Sequence, residues 1–286
     1  MAEASCPASC GELLQGWILG GEKLVSCPIN WFSHVSVTAG QPGKNERPLM
    51  RQMLLSVLEH LGVPAEAAGG LRIEFDSSIP LAKGMASSTA DIAATAQATA
   101  RHFGTHLGEA MLASLCVQLE PTDSTLFRQL TLFDHQTATT QIAGDWLPPL
   151  DILLLESPQT LNTADYHRRD RRQALWDNAA TLAQAWALFS QAMQNQDCHQ
   201  LGEATTLSAR ASQTLLPKPR FDKLQGIVEQ SGIYGLNVAH SGSVVGLLFD
   251  ADRHDSERLL WLLQQQGICE SYPRQHRLRL IAGGVR

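Results

Sequence analysis

Residues 79–96 read IPLAKGMASSTADIAATA: a proline and a glycine, then a Ser-Ser-Thr triplet, then an alanine-rich run. Just upstream, Leu71, Ile73 and Phe75 alternate strictly in LRIEFD and predict a strand over 71–76. The alanine-rich run predicts a helix from about 87 to 103. Strand must therefore pass into helix through a short loop, and Gly84 lets the backbone of that loop turn close to a ligand. Ser87 and Ser88 fall where the N-cap and first turn belong, beside free N–H groups and the positive end of the helix dipole. Such a corner suits an anion, phosphate above all. The hydroxyls can ligate phosphate oxygens or Mg²⁺, and Lys83 adds a point charge. The same hydroxyls would serve equally as ordinary helix caps. The stretch matches neither the Walker A pattern nor the G-x-S-x-G elbow, so a nucleotide here would be held by another design.

The chain has 286 residues, room for one large domain or two ordinary ones. Its 22 basic and 28 acidic side chains give a net charge of −6, which argues against nucleic acid as a partner. No apolar run reaches the ~20 residues of a membrane span, and the first residues lack the basic and apolar regions of a signal peptide. Together these predict a cytoplasmic protein with no membrane partner. The six cysteines read as reduced thiols, and Cys6 and Cys10 have no second pair at zinc spacing.

The first 40 residues mix short β-prone pieces with turns. Helical spacing follows in LMRQMLLSVLEHLG and LGEAMLASLCVQL, and RQLTLFD with TATTQIA reads as a strand pair. The prolines of GDWLPPL (144–150) mark a boundary, dividing 1–148 from 149–286. Beyond it come a strand in DILLLES, a helical region from about 168 to 195 and helices in 201–216 and 221–231. A strand–turn–strand over 234–250, a helix near 253–266 and a final strand complete the chain. That order, β-α-α-α-β-β-α-β, suits antiparallel strands with helices on one face, an α+β sandwich.

PLAKGMASSTA (80–90) resembles the P-x-x-x-G-[LM]-x-S-S-[AST] phosphate loop of the GHMP kinases, which phosphorylate small alcohols. CPASCGELLQG (6–16) is similar to the family segment whose Gly-Glu lies near the substrate. AHSGSVVGL (239–247) stands in the place of the third, glycine-rich motif, with Val244 and Val245 where small residues are usual. EPTDSTLF, QLTLFDH, SQTLLPKP and NVAHSGSVVGL resemble the branch whose acceptor is L-threonine and whose product supplies the aminopropanol linker of cobalamin. Homoserine stands as the alternative acceptor, because a methylene shift in a pocket is worth only about 1–3 kcal/mol. A non-catalytic member that senses a metabolite is the alternative from another class.

The resemblance implies a two-domain α+β fold. A ribosomal-protein-S5-domain-2-like α/β domain with a left-handed crossover would precede a C-terminal ferredoxin-like α+β sandwich. It implies ATP and Mg²⁺ as cofactors and L-threonine as the small-molecule partner. It places Pro80, Leu81, Ala82, Lys83, Gly84, Met85, Ala86, Ser87, Ser88, Thr89 and Ala90 at the phosphates, with Ser88 and Glu120 on the metal. Asp123 takes the place of a catalytic carboxylate, which would orient the hydroxyl and accept its proton. Locally it reads as readily as a cap. Glu12 is the candidate substrate contact, with a structural role as its alternative. YHRRDRRQ (166–173) reads as a solvated basic face from which Arg168 or Arg169 would hold a substrate carboxylate. His135 and His240 read as structural residues beside the motifs.

Overall fold

The short β-prone pieces of the first 40 residues join into one long hairpin in the computed structural model, which describes residues 1–160 and 170–286. Its strands are β1 (Ala2–Ile18) and β2 (Gly21–Ala39). The register shifts between Pro7 and Ser9, Ser9 and Glu12, and Glu12 and Leu14. Bulges at these points absorb the proline and glycine that a regular ladder would not tolerate. Strand β3 (Leu71–Ser77) pairs antiparallel with β2. The expected strand pair forms as β4 (Thr131–Phe133) and β5 (Thr140–Ile142), attached to β2 through Leu24 and Phe133.

The second half contributes β6 (Asp151–Glu156), β7 (Gly235–Val238), β8 (Val244–Phe249) and β9 (Arg274–Arg279). They lie in the antiparallel order β7-β8-β6-β9, the ferredoxin-like arrangement that the resemblance implies and an antiparallel α+β sandwich as the order of elements predicts. Pairing of Glu12 with Val238 joins β1 to β7, so one sheet runs through both halves as β5-β4-β2-β1-β7-β8-β6-β9. The helices of this half are α4 (Arg172–Asp177), α5 (Ala179–Asn195), α6 (Cys198–Ala211), α7 (Phe221–Ser231), α8 (Ser256–Gln265) and α9 (Ile268–Ser271). Where it is described, the helical region expected over 168–195 is thus broken at Asn178. The Asn178 amide donates to the Ala174 carbonyl and to Thr214 Oγ1, both at 2.8 Å, an alternative to continuing the helix. Arg168 and Arg169 lie outside the described residues.

The first half adds α1 (Pro48–His60), α2 (Ser87–His102) and α3 (Glu109–Leu119). From Thr89 to Ala100 every residue of α2 is buried, which its alanines permit, packed between α1 and the β1–β2 hairpin. Two of its hydroxyls are satisfied internally: Thr95 donates to the Asp91 carbonyl and Thr99 to the Thr95 carbonyl, each at 2.7 Å. A methyl or two added at Ala93 or Ala96, both fully buried, would cost about 1–3 kcal/mol by overpacking. Asp91 anchors the first turns, accepting from Ser33 on β2 at 2.6 Å and from Arg47 ahead of α1. A second core of Leu153, Leu155, Leu224, Leu247, Leu262 and Tyr272 lies between the C-terminal strands and α7–α8.

Candidate active site

The loop from Pro80 to Ala86 is pinned from above by the β7–β8 turn. Gly84 has φ +74°, and a Cβ there would lie 2.8 Å from the Gly242 Cα. A Cβ on Gly242 would sit 2.1 Å from the Lys83 carbonyl oxygen, so the two backbones meet where no side chain fits. The Ser243 N–H donates to that same oxygen at 2.9 Å. The departure of AHSGSVVGL from the glycine-rich pattern has a physical reason here: Val244 and Val245 already belong to β8 and are buried, and the backbone at Gly242, with the small Ala239, makes the close approach.

Helix α2 begins differently from the capping expectation. Its N-cap is Ala86, in the left-handed region at φ 55°, and no side chain caps the helix. Ser87, Ser88 and Thr89 are therefore its first three helical residues, and their hydroxyls point to other tasks. Ser87 Oγ is buried without a hydrogen-bond partner among the described residues. The Ser88 hydroxyl lies close enough to the Glu120 carboxylate to favour its charged form. Thr89 Oγ1 donates to Asp123 Oδ2 at 3.3 Å and accepts from the Asp123 N–H at 3.2 Å.

A cleft of about 290 Å³ opens here, lined by Pro80, Leu81, Ala82, Gly84, Met85, Ala86, Ser87, Ser88 and Thr89. Glu12, Glu120, Pro121, Asp123 and Ser241 complete its wall. Two residues of the expected loop are not among them. Ala90 is fully buried within α2. Lys83 turns away: its ammonium donates to the Ser157 carbonyl at 2.6 Å and the Gln159 carbonyl at 2.7 Å, tying the loop to the end of β6. These two carbonyls satisfy an ammonium that is itself buried. A larger hollow, near Glu3, His34, Asp76, Arg101 and Arg286, lies elsewhere and contains none of the motif residues.

Three carboxylates face the cleft. Burial, with the Glu12 charge adding to it, pushes the Asp123 carboxyl up to about 7; the Thr89 hydrogen bond pulls the other way. Burial also raises Glu120 above the usual carboxylate range, against the pull of the Ser88 hydroxyl. The segment after Asp123 is fixed to β2 by a reciprocal pair, Ser26 N–H to Ser124 Oγ at 2.8 Å and Ser124 N–H to Ser26 Oγ at 2.9 Å. Glu12 is buried at the β1–β7 junction, where its Oε2 lies 2.8 Å from the His240 N–H and 3.0 Å from His240 Nδ1. His240 thus holds Glu12 in place, while its Nε2 has no hydrogen-bond partner among the described residues.

A smaller recess of about 30 Å³ continues past Asp123, sharing Glu12, Pro121, Asp123 and Ser241 with the cleft and adding Gln15, Leu24, Thr122 and His135. His135 is buried, and burial lowers its pKa. Of the described part of the basic run, Asp170, Arg172 and Gln173 are exposed as expected of a solvated face, whereas Arg171 forms a two-pronged pair with Glu22 at 2.6 and 3.3 Å. Lys218, in SQTLLPKP, is buried within the field of Glu12, and burial pushes its ammonium down to about 7. Gln15, Lys218 and Ser241 escaped sequence reasoning. Their only signal was membership in motif blocks, because a side chain's burial and facing are tertiary facts.

The residues fit a Mg²⁺-bound triphosphate. The α2 N-terminus and an orphaned Ser87 hydroxyl offer donors for phosphate. Ser88 and Glu120 offer oxygen to a hard cation. Among the described residues no group of three or more His, Cys, Asp or Glu is arranged to hold a metal.

Comparison with known proteins gives the same picture. Residues 48–127 match the GHMP kinases N terminal domain, and residues 189–260 match the GHMP kinases C terminal family. The chain is 59% identical over 286 residues to an L-threonine kinase of Salmonella typhimurium, covering 100% of this chain and 95% of that one. It is 58% identical over 285 residues to an L-threonine kinase of Citrobacter freundii, covering 100% and 99%. Among solved structures, a mevalonate kinase of Methanococcus jannaschii superposes with TM-score 0.67 at 14% identity, covering 98% of each chain. A homoserine kinase of Cytophaga hutchinsonii superposes with TM-score 0.69 at 14% identity, covering 100% of this chain and 96% of that one. At that identity the two structures show the fold alone.

Proposed function

The chain belongs to the GHMP kinases, and within that family we propose that it is an L-threonine kinase, making O-phospho-L-threonine and ADP from ATP and L-threonine. The observation that carries this reading is Asp123, placed where the phosphate-loop cleft meets the small recess and raised toward neutrality by its surroundings. Identity of 58–59% to two L-threonine kinases across the whole chain supports the acceptor.

In this reading the ATP phosphates lie on the α2 N-terminus, against the Ser87 hydroxyl and the loop N–H groups. Mg²⁺ would be held by Ser88 and Glu120 and would neutralise phosphate charge. Asp123 accepts the hydroxyl proton as the bond from the threonine oxygen to the γ-phosphorus forms and the bond to the ADP oxygen breaks. A carboxylate near pH 7 in affinity is matched to that transfer. Phosphoryl transfer asks little covalent chemistry of the protein, so positioning supplies most of the rate. Glu12, fixed by His240, faces the substrate ammonium. The acidic wall of Glu12, Glu120 and Asp123 favours both cations, the metal and the ammonium.

We place the enzyme in the cytoplasm, with its product feeding the aminopropanol linker of cobalamin. Unpaired cysteines agree with that compartment. The test is ADP release by a coupled assay with Mg·ATP and L-threonine, L-homoserine, L-serine, mevalonate and galactose in turn. L-threonine is expected to give the highest kcat/KM. Absence of turnover with every alcohol would overturn the kinase reading, and preference for homoserine would overturn the acceptor.

A further inference from the structure

The recess beyond Asp123 adjoins the phosphate-loop cleft, and one of its walls carries an unused polar group. Gln15 sits on β1 directly across from Leu24 on β2, and both side chains line the recess. The Gln15 side chain is 94% withdrawn from solvent. Its Oε1 has no hydrogen-bond partner among the described residues. Its backbone is not free to move and relieve this, because the Gln15 N–H donates to Ser208 Oγ of α6 at 3.1 Å. A buried amide oxygen left unpaired costs about 1–3 kcal/mol, so its persistence points to a ligand that pairs with it.

An amide oxygen accepts and never donates, so its ligand carries a donor. Around it the recess is rich in acceptors, Glu12 and Asp123 foremost, and His135 is the residue there whose burial disfavours a positive charge. Among the described residues that line the recess there is no lysine or arginine, so a cationic group on the ligand complements its carboxylates. On the proposed function, the only cationic group of the acceptor is its α-ammonium. We infer that Gln15 is a specificity-determining residue: its Oε1 accepts a hydrogen bond from the α-ammonium of the amino-acid acceptor, with Leu24 closing the apolar side of the same recess. The hydroxyl then falls at Asp123 and the chain's carboxylate is directed away from the acidic wall. This inference rests on the reading of the chain as an amino-acid kinase.

Gln15→Met keeps length and packing and removes the acceptor. A hydrogen bond to a charged group is worth about 1.5–3 kcal/mol, roughly 10- to 150-fold in binding. The variant is expected to raise KM for L-threonine at least tenfold, with KM for ATP and kcat changed less than threefold. A KM for L-threonine within twofold of the wild type would overturn the inference. The wild-type enzyme supplies a second arm that does not depend on the variant folding. L-Threonine methyl ester, which keeps the ammonium, is expected to be phosphorylated, and N-acetyl-L-threonine, which lacks it, is not. Equal turnover of the N-acetyl compound would likewise refute the role of the ammonium. Failure of the wild type to phosphorylate L-threonine at all would refute the proposed function instead.

Discussion

Asparagine at position 123 separates two properties that the structure ties together. The carboxyl of Asp123 is raised from 3.8 to about 7, chiefly by burial and then by the Glu12 charge. A carboxyl with a higher pKa folded than unfolded is neutral in both states below pH ~4, so it has no effect there. As pH rises from ~4 to ~7 the unfolded chain releases its proton first, and stability falls. Above ~7 the full penalty is present, at most ~4 kcal/mol from about three pKa units at ~1.4 kcal/mol each. Asparagine does not titrate, and its carbonyl still accepts from Thr89. Asp123→Asn is therefore expected to be more stable than the wild type at pH 8, by ~2–4 kcal/mol, and equal to it near pH 4. For a chain of this size that is a gain of several degrees in Tm, at about 2–4 °C per kcal/mol, measurable by calorimetry across the pH range. In the same variant kcat should fall by about 10²- to 10⁴-fold, the usual contribution of a positioned base. The wild-type kcat/KM should rise with pH through about 7 as Asp123 ionises, and that limb should vanish in the variant. A variant no more stable than the wild type at pH 8 would refute the electrostatic reasoning. A kcat within threefold of the wild type would refute the base.

Three further outcomes follow from the loop. Ser88→Ala removes an oxygen assigned to the metal but caps nothing, so kcat should fall at least tenfold and half-saturating Mg²⁺ should rise; Tm should stay within about 2 °C, against the ~1 kcal/mol lost with a true cap. Gly242→Ala drives a methyl into the Lys83 carbonyl and should raise KM for ATP tenfold or more, read from initial rates. Lys83→Met removes the ammonium that donates to the Ser157 carbonyl, while Ser243 Oγ still donates to the Gln159 carbonyl, and should lower stability by ~1–3 kcal/mol in urea melts. KM for ATP should move less than threefold in that variant; a larger rise would return Lys83 to the phosphates.

Local pattern carried the elements whose causes are local. The alternation of Leu71, Ile73 and Phe75 marked β3, the alanine run marked α2, and the order of elements in the second half marked an antiparallel α+β sandwich. The chemistry of the loop was legible because a glycine, hydroxyls and a helix start have few joint uses. What stayed hidden depended on distant partners. The bulged hairpin looked like separate strands because its continuity rests on cross-strand pairing rather than on periodicity. Lys83 was placed on phosphate by proximity in sequence, whereas carbonyls more than 70 residues away hold it. The helix starts at Ala86 without a side-chain cap because Thr89 and Ser88 engage Asp123 and Glu120, more than 30 positions along. Gln15 belongs to the same class: nothing in CPASCGELLQG tells an unpaired amide from a solvated one.

The central claim is that the phosphoryl group goes to the hydroxyl of L-threonine. Incubating the protein with Mg·ATP and equal concentrations of L-threonine and L-homoserine, and resolving the two isomeric phosphoesters by phosphorus-coupled proton NMR, tests it directly. O-Phospho-L-threonine in large excess is the predicted result. O-Phospho-L-homoserine as the main product, or ADP formed with neither ester, would contradict it.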